Sequence, residues 1–204
     1  MSIKNSTIVV ASFILIGRIA GFIREWLLSS ISGANAETDV AVVLFAFPDL
    51  IVSLLLGGGL SSSLIPYLGS LEKQKKKKFV SQLSIYVGLI FVILAILISI
   101  KLDIFWNLFA PGIGQEVKRG ANNYFLIILF CLPLTSITGV LTAYLNSKSN
   151  FKIAASGNVL FNIGIIIGLL INIPILLRVT IGIIIGSLLR FFVQNSYSNL
   201  FKKI

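Results

Sequence analysis

Histidine is absent from the chain, and its single cysteine, Cys131, sits within an apolar run. A disulfide framework and a His/Cys metal centre are thereby excluded, and no metal or other cofactor is expected. Acid is scarce as well, with seven Asp and Glu against 17 Lys and Arg among 204 residues. Charged residues make up 12% of the chain, where ordinary soluble domains carry about 25%. That is too little charge to clothe a water-soluble domain. No pair of acids stands at a catalytic spacing and no nucleophile stands beside a base, so an enzyme is not expected. In place of charge there are hydrophobic residues, 56% of the total, in runs long enough to cross a bilayer.

These runs predict an all-α polytopic membrane protein. Its six transmembrane helices cover about residues 6–32, 39–68, 79–100, 121–145, 153–171 and 175–193, within one unit, 1–204. The net charge of +10 would suit nucleic acid if it lay on one face, but its distribution suits a membrane. Lys4, the run Lys73 and Lys75 to Lys78, Lys148, Lys152, Lys202 and Lys203 all fall on one side of such a topology, against Lys118, Arg119 and Arg178 on the other. Excess positive charge marks the termini and even-numbered loops as cytoplasmic. Residues 72–78 read as a solvated basic loop beside anionic lipid. Residues 101–107 read as an interfacial end containing Trp106, followed by a turn at Ala110-Pro111-Gly112. The amino-terminal run has the parts of a signal peptide, but charges fall between its apolar core and Ala34-Asn35-Ala36, so it is expected to stay uncleaved.

The distinctive stretch is Gly17-Arg18-Ile19-Ala20-Gly21-Phe22-Ile23-Arg24-Glu25. On one helix Glu25 lies about 20° from Arg18, Gly21 about 60°, Gly17 about 100° and Arg24 about 120°, all to the same side. One sector therefore holds every charge and both glycines. An unpaired arginine at mid-bilayer costs roughly 2.5–3.5 kcal/mol on insertion scales, so Arg18 should face protein or water. Arg18 and Glu25 bridging each other is one arrangement; a solvated cationic cavity wall is the other, and it also accommodates Arg24. Gly17 and Gly21 would allow a neighbouring helix to approach closely.

Further along, Thr38 or Asp39 is placed to cap the second helix. Pro48 should kink that helix, leaving Asp49 about 15 Å deep and in need of a partner, with Arg18 a candidate. Gly57-Gly58-Gly59 reads as a bend. A phosphate-cradling loop there lacks the Gly-Lys-Ser/Thr ending. Pro133 should interrupt the fourth helix. Asn158 and Asn162 share a face of the fifth, where hydrogen bonding between helices is the plain reading. Arg190 sits near the end of the sixth.

Taken together, Gly17-Arg18-Ile19, Gly21-Phe22, Arg24-Glu25, Gly33-Ala34, Thr38-Asp39, Phe47-Pro48, Gly58, Ser61, Pro66, Leu68, Ala110-Pro111-Gly112, Leu132-Pro133, Leu145-Asn146 and Asn158 to Asn162 resemble the MurJ (MviN) lipid II flippases of the multidrug/oligosaccharidyl-lipid/polysaccharide exporter superfamily. The resemblance implies one lobe of a two-lobed exporter in the bacterial inner membrane. By alternating access it would carry an undecaprenyl-diphosphate-linked peptidoglycan precursor from the inner to the outer leaflet. It also implies that Arg18 and Arg24 hold the diphosphate, that Glu25 stands beside the second arginine, that Asp39 lies near the cavity mouth and that Asn162 lines the cavity. Val52 and Ser53 stand where the family has an arginine pair, and Gly57-Gly58-Gly59 where it has Glu-Gly-Ala. Another polyprenyl-linked polysaccharide unit is therefore an alternative cargo. Asp49 has no acidic counterpart in the pattern. Since six helices make one lobe, a second lobe from the same or a separate chain is expected as a partner. A non-transporting remnant or scaffold is the competing reading.

Overall fold

The computed structural model describes residues 3–55 and 61–200, and among these the regular structure is helical. Nine helices follow one another: α1 Ile3–Ser32, α2 Ala36–Leu55, α3 Ser61–Ser70, α4 Lys73–Ile100, α5 Leu102–Phe109, α6 Gln115–Leu129, α7 Cys131–Ser147, α8 Phe151–Leu169 and α9 Ile175–Ser198. By length and hydropathy α2, α4, α8 and α9 can each cross a membrane, and α6 with α7, bent by 45°, make a fifth crossing if taken as one. α1 matches them in length, at 30 residues, with Arg18, Arg24 and Glu25 in its second half. The expected bend at Gly57-Gly58-Gly59, like Lys202 and Lys203, lies outside the described residues.

Several boundaries differ from those the sequence suggested, each for a local reason. The expected basic loop is helical: α4 starts at Lys73, because lysine is a good helix former and Lys75 reaches back to Glu72 at 3.3 Å. Neither Thr38 nor Asp39 caps α2. Asn35 does, its Oδ1 accepting from the Thr38 backbone N–H at 3.0 Å, while Thr38 Oγ1 donates to the Gly33 carbonyl at 2.8 Å. Asp39 instead belongs to the first turn, where its charge suits the helix dipole. Pro133 does not break the fourth passage at its own position. It occupies the first turn of α7, where a missing N–H costs little, and the bend falls at Phe130, whose side chain is 84% exposed.

Trp106, expected at an interfacial end, packs inside the protein. It is buried on α5 and donates from Nε1 to Asn122 Oδ1 at 2.8 Å. Beside it Phe105 and Phe125 stack with centroids 4.1 Å apart and Phe47 meets Phe105 edge-on, and this aromatic cluster joins α2, α5 and α6. A second cluster, including Leu68, Val80 and Tyr144, closes the other end.

α9 lies at the centre, against α2, α6, α7 and α8, whereas α1 rests mainly on α8 and touches α2 lightly. The α8–α9 approach is the tightest in the molecule. A Cβ on Gly164 would stand 2.2 Å from the Gly186 nitrogen, and one on Gly182 2.7 Å from Ile165 Cα. Gly164, Gly168, Gly182 and Gly186 thus bring two backbones together, as small residues do in membrane helices. Gly17 and Gly21, the expected packing glycines, face Asn158 and Asn162 of α8 at ordinary contact distances, with an added Cβ 3.4 and 3.7 Å from their Nδ2 atoms.

Candidate functional site

Arg24 projects from α1 into the angle between α8 and α2. It is 9% exposed. One terminal nitrogen donates to Asn162 Oδ1 of α8 at 2.7 Å, the other to Glu25 Oε1 at 2.9 Å, and the guanidinium carbon lies 3.8 Å from the centroid of the Phe45 ring on α2. A planar cation over an aromatic face is electrostatically favoured, more so when desolvated. Nε finds no partner among the described residues. Asn162 is itself buried, and its Nδ2 donates to the Gly17 carbonyl at 3.3 Å and to Asn158 Oδ1 at 3.5 Å. The hydrogen bonding expected of this asparagine pair is thus present, and the same side chain orients the arginine.

Arg18 and Glu25 share the outer sector of α1, and both are exposed. They do not bridge each other. Glu25 is taken by the adjacent Arg24, with its side chain still 61% exposed, and Arg18 makes no ion pair or hydrogen bond among the described residues. Asp49 is half-buried on α2. Its charge bears on Arg24 and on Arg190, and no ion pair joins it to Arg18. Asp39 stays exposed at the start of α2, about 9 Å of helix rise from Phe45, the α2 residue that meets Arg24. A cavity of about 390 Å³ at that end is lined by Glu37, Glu116, Tyr124 and Pro174, and includes neither arginine.

Arg18, Arg24 and Glu25 are legible as a site because charges inside an apolar run are rare. Phe45 and Arg190 were not singled out for it. Phe45 is one of many apolar residues on its helix, and Arg190 reads as an ordinary near-terminal cation.

Chemically, one guanidinium is fixed at the floor of a polar strip and a second stands free on an open helix face. An arginine fork pairs with two oxygens of a phosphate. The class so defined is a multi-pass helical membrane protein with one held and one exposed arginine on its first helix. A family model described as "Lipid II flippase MurJ" matches residues 28–199, and the chain belongs to that family. It is 31% identical over 176 residues to a probable lipid II flippase MurJ of Buchnera aphidicola subsp. Schizaphis graminum, covering 82% of this chain and 34% of the relative. It is 25% identical over 206 residues to the lipid II flippase MurJ of Burkholderia cenocepacia, covering 95% and 40%. A solved structure of a lipid II flippase MurJ in an inward closed conformation superposes with a TM-score of 0.78 at 28% identity, covering 91% of this chain and 40% of that one. The chain thus spans between about a third and two fifths of the length of these relatives.

Proposed function

We propose that this chain is the amino-terminal lobe of a lipid II flippase, carrying an undecaprenyl-diphosphate-linked sugar from the inner to the outer leaflet by alternating access. The observation that carries the reading is the pairing of a held Arg24 with an open Arg18 on one helix. A fixed fork gives a diphosphate a defined seat, and a free, long side chain of like charge follows it in and out. Such a protein performs no covalent chemistry. The asymmetry of basic residues supports an inner-membrane placement with both termini in the cytoplasm. Arg18 and Glu25, being exposed on α1, leave room for a second lobe as the facing wall, and membrane lipid surrounds the remainder.

A different polyprenyl-linked polysaccharide unit is favoured as cargo by one feature: Val52 is buried and Ser53 exposed where related sequences carry two arginines. The test is translocation of fluorescent lipid II, and of a second polyprenyl diphosphate sugar, in vesicles containing the protein together with its second lobe. Arg18→Ala and Arg24→Ala should each reduce transport at least tenfold while membrane insertion is unchanged. Unaltered transport in both variants, or effects on abundance alone, would overturn the reading in favour of a scaffold.

A further inference from the structure

Arg190 is 5% exposed, and its Nε is buried without a partner among the described residues. It fills a notch made by Gly157 of α8, where an added Cβ would stand 2.9 Å from Arg190 Nε and 2.6 Å from Gln194 Nε2. Gln194 closes the notch by donating to Thr142 Oγ1 at 2.9 Å and to the Ala154 carbonyl at 3.4 Å. A cation so enclosed is costly unless compensated. No carboxylate lies within 4 Å of it among the described residues, and the acid whose charge reaches it is Asp49. Six of the seven acidic residues are exposed and Asp49 alone is not. The helices place the two at matching depth: counted from the end where α2 and α9 begin, Asp49 lies about 20 Å along and Arg190 about 22 Å, and α2 packs on α9. Asp49 also bears on Arg24, but Arg24 already has Glu25.

We propose that Asp49 and Arg190 form a charge tie between α2 and α9, and that both are positioning residues for Arg24. Phe45 and Asn162 grip Arg24 from α2 and α8, two helices with little direct contact that both pack on α9 and on α7. Phe45 and Asp49 are one turn apart on α2. Pro48 removes a backbone hydrogen bond beside Asp49, so α2 is softest where the tie holds it. Without the tie the Phe45 ring is free to leave the guanidinium, and the fork loses its fixed direction.

The test uses the intact chain in detergent micelles and needs no substrate. Cys131 is buried beside Ser187, three residues before Arg190 on α9, so its reaction rate with a maleimide reports on this seam. Asp49→Asn and Arg190→Met should each raise that rate by about tenfold or more, since the first leaves the buried Arg190 and the second the half-buried Asp49 without its opposite charge. Arg190→Lys should stay near the parent. The double variant, which removes both charges, should return to within about threefold of it. A double variant as reactive as the faster single, or singles that match the parent, would overturn the tie. For the positioning role, Asn162→Ala should lower the thermal midpoint less than half as much in an Arg190→Met background as in the parent, because the Arg24 grip is already lost. An equal drop in both would overturn it. Neither readout involves transport, so loss of the tie and loss of the flippase reading are separable.

Discussion

At the scale of single residues, the difference between Arg18 and Arg24 is one of partners rather than of charge. Both sit on one helix, six residues apart, yet only Arg24 meets a neighbouring helix, because the 120° between them turns it toward α8 and α2 while Arg18 stays outside. Its bond to Asn162 is charge-assisted and buried. Asn162→Ala is expected to destabilise the protein by about 1–2 kcal/mol, read as a lower thermal midpoint in detergent, whereas Asn158→Ala, at an exposed position, should leave the midpoint within experimental scatter. The arginines and Glu25 could be found from sequence because a charge in an apolar run announces itself. Phe45 and the Asp49–Arg190 relation could not. A helical wheel gives the direction of a side chain but not which distant segment it will meet, and residues 49 and 190 are joined only by the way α2 folds back on α9.

At the scale of elements, long apolar runs are legible in a sequence and the ends of helices are not. Termini depend on particular side chains, such as Asn35 taking the cap expected of Thr38 or Asp39, and lysines that read as a loop while being able to extend a helix. The close seam of α8 and α9 was also missed. Its four glycines lie within isoleucine-rich runs, and only the contact of two backbones gives their spacing meaning. Gly164→Ala is expected to cost about 3 kcal/mol or more, because a methyl placed 2.2 Å from a backbone nitrogen forces the helices apart. Gly120→Ala on α6 is the comparison: nothing lies within 4 Å of the added methyl, and helix propensity alone should raise stability by about 0.5–1 kcal/mol. Urea or thermal unfolding of both variants in the same detergent tests the contrast, and equal effects would remove the seam's special standing.

At the scale of the whole molecule, large apolar side chains remain exposed along α1 and α4, among them Phe22, Trp26, Tyr86 and Ile93. A multi-pass membrane protein leaves its lipid-facing helices in this condition. The proposed sidedness rests on the basic residues. In a Cys131→Ser background, Lys148→Cys after α7 should react with a membrane-impermeant maleimide only from the cytoplasmic side, and Gly112→Cys between α5 and α6 only from the opposite side. The reverse pattern would invert the proposed orientation, and labelling of both from one side would break the assigned order of crossings.

The glycine seam has a mechanical consequence. Where two backbones touch with no side chains between them, there are no knobs to lift from one hole and drop into the next, so α8 and α9 travel as a single plank. Relative motion of the helices would then fall elsewhere, and the contact between α1 and α2 is light. Arg24 is carried on one side of that contact and Phe45 on the other, so parting the two helices would uncover the guanidinium.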